Sequence, residues 1–200
     1  KGWSFVAFIL LAGILAASMF AFYNKADPQF LIDQQVAAAS VDATIAEQKM
    51  IRQSMEQTID MQVWFAIFGG IIGLAVINAL MAGYYLFVSK QDPEANYGYA
   101  AWYGFGVWTM MPMIISSLGL LILVLTASTD QISQTLFNYA SINQLLIGLE
   151  IGHPFYTLLE SLNIFSIWGI FIAAIGLKSW TNFTFNKALL FAALPSIVIY

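Results

Sequence analysis

The sequence predicts an all-α fold: a polytopic transmembrane helical bundle of five spans, with amphipathic helices outside the membrane. Three observations carry this. Sixty per cent of the 200 residues are hydrophobic and only 9% are charged, against about a half and about a quarter in soluble domains. Mean hydropathy is +0.77. Five charge-poor apolar runs recur, at about 2–23, 61–89, 103–126, 161–178 and 186–200. So few charges cannot cover that surface in water, and a bilayer is the solvent that suits it. No Gly/Ser- or Pro-rich linker divides the chain, so 1–200 reads as one membrane domain.

The first run is charge-free for 22 residues, Gly2 to Tyr23. That is too long for the apolar core of a signal peptide and long enough to span. Its small residues Gly13, Ala17 and Ala21 share one face and predict close helix packing, against a neighbour in the bundle or across a dimer. Residues 28–60 form the first outer segment. Asp27-Pro28 is a helix start, and Thr44-Ile-Ala-Glu47 is a capping box. Ile51, Met55 and Ile59 then recur every four residues. From Asn24 to Asp60 there are six acids and three bases, so this amphipathic stretch is expected on its own protein and not on anionic lipid.

The second run, Met61 to Ser89, repeats small residues at Gly69, Gly73, Ala79 and Gly83 and carries Asn78 near mid-membrane. An amide in lipid needs a partner, which turns Asn78 to the bundle interior. Residues 96–108 are dense in Tyr, Trp and Gly, as at a membrane interface. The third run contains Pro112 and the Ser116-Ser117 pair, which together predict a kink. Residues 129–150 are weakly hydrophobic, and Ile132, Leu136, Ile142, Leu145 and Leu146 predict an amphipathic, partly embedded helix there, broken by Gly152-His153-Pro154. The last two runs flank a short turn whose charges are Lys178 and Lys187, with Trp180 as an interfacial anchor. Asn163 stands at the entrance of the first of them and Pro195 inside the second.

Charge sets the expected orientation. Five spans put Lys1, Lys90, Lys178 and Lys187 on one side, while the other side carries Lys25, Lys49 and Arg52 in a long acidic loop and no base after Thr126. Positive-inside reasoning makes the N-terminus cytoplasmic. Both larger loops then lie outside.

Chemistry is sparse. The chain has no cysteine and one histidine, so it offers neither a disulfide frame nor a thiolate centre. It has no Walker loop and no dinucleotide fingerprint. No catalytic set, cofactor site or metal site is predicted. Asp130, Glu150, His153 and Glu160 make a weak outer acidic cluster without a positive counter-charge. Glu150-x-x-His153 has the spacing of two ligands on one helix face, but a single histidine and scattered carboxylates give at most weak cation attraction. Asn78, Pro112, Ser116, Ser117 and Asn163 are the possible polar interior of the bundle. A net charge of −4 excludes a nucleic-acid binder.

The closing segment has a recognisable order: Asn163, Trp168, Gly176-Leu-Lys178, a turn, Lys187-Ala-Leu189 and Pro195. It resembles the Yip (Ypt-interacting protein) domain family of small multispanning membrane proteins, best from Trp102 to Tyr200. The resemblance implies five spans, a cytosolic N-terminus, and a non-enzymatic role through membrane lipids, other membrane proteins or self-association. Eukaryotic members are tied to Rab GTPases and vesicle traffic. Here the expected cytosolic surface shows only short loops and whatever N-terminal tail precedes Lys1, which does not carry a GTPase-binding role over, and no organelle-sorting signal is visible. A prokaryotic-type relative in the cell membrane is the expectation. The alternative from a different class is a small transporter or channel with a polar path between helices.

Overall fold

In the computed structural model, described over residues 2–39, 44–150 and 152–199, the chain is a helical bundle without a β-strand among those residues. Eight α-helices are described: α1 (Trp3–Lys25), α2 (Pro28–Ala39), α3 (Ile45–Ser89), α4 (Tyr99–Thr109), α5 (Pro112–Thr126), α6 (Tyr156–Ser161), α7 (Ile164–Trp180) and α8 (Phe185–Ile199). Among the described residues three stretches are long and apolar enough to cross a membrane: α1, α3, and α4 with α5 taken together. Helices α7 and α8 are apolar but shorter.

The helical period decides which faces meet. On α3, Leu74, Asn78, Ala82, Tyr85 and Ser89 are buried, spaced three and four apart, while Phe65, Phe68, Ile72, Val76 and Leu80 on the opposite face are exposed. On α1 the buried face is Ala7, Leu11, Ser18 and Phe22. Gly13 and Ala17, expected at the packed face, are exposed instead. Likewise a Cβ at Gly69, Gly73 or Gly83 would meet nothing within 4 Å, so these small residues make no close crossing inside the chain. Bulky side chains, not the glycine rows, fill the interface here.

Local signals at the outer segment are realised. Asp27 Oδ1 accepts the Gln29 N–H (3.0 Å) as α2 starts at Pro28. Thr44 and Glu47 form the reciprocal capping box at the head of α3. From there α3 runs unbroken for 45 residues, joining the amphipathic stretch to the second apolar run. Helix α2 packs on this outer part. Gln35 and Gln62 exchange side-chain amide bonds (3.0 and 3.3 Å), and Arg52 pairs with Asp33.

The third run bends where Pro112 stands. Helix α4 ends at Thr109 and α5 begins at Pro112, with Met113 and Ile114 N–H bonded three residues back to Met110 and Met111. Residues 129–150 differ from the expected amphipathic helix. They form a 3-10 turn at Gln134–Asn138, a π turn at Asn143–Ile147 and irregular links. Their polar side chains bond locally to backbone, as Ser133 does to the Thr135 N–H (3.2 Å), and so compete with a helical ladder.

Two apolar clusters close the two ends. One gathers Tyr85, Trp102, Phe105, Leu177 and Ala188; the other gathers Phe22, Leu31, Leu120, Val124 and Ile132. Beyond the first, the α3–α4 and α7–α8 connections are latched together. The Asp92 carboxylate accepts the Asn182 backbone N–H (2.7 Å), and Asn182 Nδ2 donates to Glu94 (2.8 Å). Inside the α3–α8 contact, Tyr84 Oη donates to the Phe191 carbonyl (2.8 Å). Phe191 lies four residues before Pro195, whose ring nitrogen has no proton to give that carbonyl. Tyr84 supplies the missing donor.

Tyr84→Phe should therefore cost about 1 kcal/mol. The loss should largely vanish in a Pro195→Ala background, where a backbone N–H is restored, and a double-mutant cycle on thermal unfolding in detergent measures it. Asp92 gives a pH test. The Asn182 N–H first, then the Glu94 N–H, the Asn182 amide and the Lys187 charge, hold its pKa below the usual 3.8 despite partial burial. Its contribution is therefore present above that value and lost as pH falls below it. Asp92→Asn should be less stable than the parent at pH 6, and the gap should close towards pH 3.

Candidate functional site

The feature with most chemistry is a knot of side chains between the π turn and α6. Its frame is short and backbone-made. Ser141 and Asn163 pair as an antiparallel bridge, flanked by Ile142 N–H to Leu162 O (2.8 Å) and Ile164 N–H to Ala140 O (3.1 Å). Gly148, with φ of +69°, closes the π turn in the left-handed region that glycine enters without strain. Asn143 then holds the exit: its Oδ1 accepts the Leu149 N–H (2.8 Å) and its Nδ2 donates to the Leu149 carbonyl (3.2 Å).

Into this frame α6 brings Glu160, which is 7% exposed. Oε2 accepts from Asn143 Nδ2 (3.0 Å), Gln144 Nε2 (3.2 Å) and Ser141 Oγ (3.3 Å), and Oε1 accepts from Gln144 Nε2 (3.0 Å). All three donors are neutral. The ion pairs found among the described residues are those of Arg52 with Asp33 and Glu56, far along the chain.

Glu160 also borders a cavity of about 500 Å³ between α1, α5, α6 and α7. Leu15, Met19, Met113 and Leu120 give it an apolar wall, and Ser116, Ser117 and Asn163 add polar groups. Beside it, the Tyr139 Oη donates to the Ser116 carbonyl (3.2 Å). Tyr139 lies against Gly119, where any Cβ would collide with its ring.

The structure thus divides the residues singled out in the sequence. Ser116, Ser117 and Asn163 meet at the cavity; Pro112 is buried at the helix break, and Asn78 lies elsewhere. Asn78 is fully buried between α3 and α4 and donates to the Tyr103 carbonyl (3.1 Å). Its Oδ1 has no hydrogen-bond donor and faces Gly106, where a Cβ would clash with it. A Cα–H contact is what that position offers. Asp130, Glu150 and His153 are exposed, whereas Glu160 turns inward, away from the water-exposed group it was expected to join. The His153 Nδ1 accepts the Phe155 N–H (3.2 Å). Among the described residues no three His, Asp or Glu side chains come together to hold a metal ion. Sequence reasoning missed Ser141, Asn143 and Gln144, because their polarity in a weakly hydrophobic stretch reads as an ordinary loop.

The family model for the Yip1 domain matches residues 2–200. The chain belongs to the Yip1 domain family. That membership, with the apolar helices, makes it a membrane protein of the Yip type. Among curated proteins and among solved structures, nothing matches the chain significantly.

For Asn78, the geometry yields a measurable consequence. Asn78→Leu should cost on the order of 1 kcal/mol, the scale of an interhelical hydrogen bond in lipid. Gly106→Ala, which drives a methyl into Asn78 Oδ1, should destabilise as well, and part of its cost should disappear in Asn78→Ala. Thermal unfolding of the purified variants checks both.

Proposed function

We propose that this Yip1-family chain is a non-enzymatic, five-span membrane protein that works through contacts with lipids and other membrane proteins. The observation that carries the reading is its outer surface. Large apolar side chains stand exposed along all the apolar helices, among them Phe5 and Ile9 on α1, Phe68 and Ile72 on α3, Ile122 on α5, Ile175 on α7 and Ile197 on α8. Such a surface suits hydrocarbon and the faces of other membrane helices. Helices α7 and α8 have 17 and 15 residues, short for a crossing of about 20. We count them as the fourth and fifth crossings, with α7 completed by the chain that folds back between Ala127 and Asn163. The bundle ends fit this count. Lys25 Nζ donates to the Ala127 carbonyl (2.6 Å) at one end, and the Asp92–Asn182 latch joins two connections at the other.

The polar residues support this reading over a transport path, since Asn78 and the Ser116–Ser117–Asn163 group sit in separate places. Proteoliposomes should show no ion or solute flux above empty vesicles. Flux abolished by Asn78→Leu without a change in melting would overturn the contact reading. Orientation is checked by single cysteines in this cysteine-free chain. Cysteines at Gln53 and Thr129, both exposed, should react with an impermeant thiol reagent applied to intact cells, and one at exposed Ser179 should not.

A further inference from the structure

We propose that the cavity between α1, α5, α6 and α7 is a lipid-headgroup site, in which the Glu160 carboxylate takes the primary ammonium of an ethanolamine-type phospholipid. This rests on the membrane reading above. The first step is charge. Glu160 is more than nine-tenths buried, its three donors are neutral, and no Lys, Arg or His lines the cavity. A buried carboxylate without a positive partner is costly, and a cation is the partner this site lacks.

The second step is the kind of cation. A divalent metal calls for several oxygen or nitrogen ligands at close range, and no three His, Asp or Glu side chains converge among the described residues. Oε1 of Glu160 accepts a single hydrogen bond, from Gln144, which leaves it a lone pair for an N–H donor. A primary ammonium has three such donors. A quaternary ammonium has none.

The third step is depth and lining. Ser116 and Ser117 stand about ten residues inside the Thr126 end of α5, about 15 Å at 1.5 Å per residue, and Leu15 is midway along the 23-residue α1. A crossing helix puts such positions within the hydrocarbon core of about 30 Å, so a lipid that seats its headgroup here is drawn below the headgroup layer and its charges must be met by the chain's own polar groups. The wall of Leu15, Met19, Met113 and Leu120 suits an acyl chain, while the Ser117 and Thr157 hydroxyls at the same cavity suit a phosphate as neutral donors. Next to it the π turn exposes Leu145 and Leu146, the latter 80% exposed, which face lipid more readily than water.

The experiment uses the full chain in detergent, titrated with phosphatidylethanolamine, phosphatidylcholine or phosphatidylglycerol, and with soluble phosphoethanolamine. Binding is read by native mass spectrometry and thermal shift. Phosphatidylethanolamine should remain bound and raise the melting temperature by several degrees, at least tenfold more tightly than the other two lipids. Glu160→Gln, which keeps the shape and loses the charge, should remove that preference. Met113→Trp, which fills the cavity and keeps the charge, should weaken binding of all lipids there, and it decides the matter if Glu160→Gln fails to fold. Glu150→Gln, at an exposed carboxylate, should change nothing. Equal binding of the choline or glycerol lipid, full affinity in Met113→Trp, or equally tight binding of soluble phosphoethanolamine would each overturn the proposal. None of these readouts depends on flux, so the site and the functional reading can fail separately.

Discussion

Backbone groups that leave the helical ladder inside an apolar bundle have no water to turn to, and this constraint organises the irregular parts of the molecule. The departures named here are met by side chains, one from another helix and two from close by in the chain. Pro195 strips a donor from Phe191, and Tyr84 reaches across from α3 to replace it. The π turn frees the backbone of Leu149, and Asn143 takes both its N–H and its carbonyl. Thr109 Oγ1 bonds back to the Gly106 carbonyl (2.8 Å) as α4 ends. Non-helical backbone in an apolar setting is tolerated where side chains satisfy it, as Asn143 does beside the π turn.

How much of this the sequence showed depends on the range of the interaction. Apolar runs, the capping box at Thr44, the start at Pro28 and the break before Pro112 are written in neighbouring residues, and all are visible in the chain order. The Yip likeness was carried by single residues near the C-terminus, and the family model extends it from residue 2 to 200. Packing faces were harder. Gly13 and Gly73 looked like contact positions because small residues permit close approach, but permission is not occupancy, and larger neighbours took the interface. The Glu160 knot was illegible for a different reason. Its donors are ordinary polar residues 16 to 19 positions away, brought together by a bridge between Ser141 and Asn163 that no local pattern announces.

Two buried carboxylates show how surroundings assign different parts to one functional group. Asp92 accepts bonds from the backbone N–H of Asn182 and Glu94 and feels the charge of Lys187, so its negative charge is balanced and serves to fasten two loops. Glu160 has comparable hydrogen bonding from side chains, but no Lys, Arg or His among the described residues lines the cavity that it borders.

The unbroken α3 has a mechanical consequence. Its apolar run and its amphipathic part are one helix, so on the five-span reading any tilt of the first moves the second. The arm from Ile45 to Asp60 is about 24 Å long at 1.5 Å per residue. Transmembrane helices adjust their tilt to the thickness of the surrounding lipid, and a change of about 10° would swing the arm's tip by about 4 Å. Helix α2 is fastened to the arm through Asp33–Arg52 and to its root through Gln35–Gln62, and travels with it. On that reading a difference in membrane thickness would appear as a displacement in the water beside it.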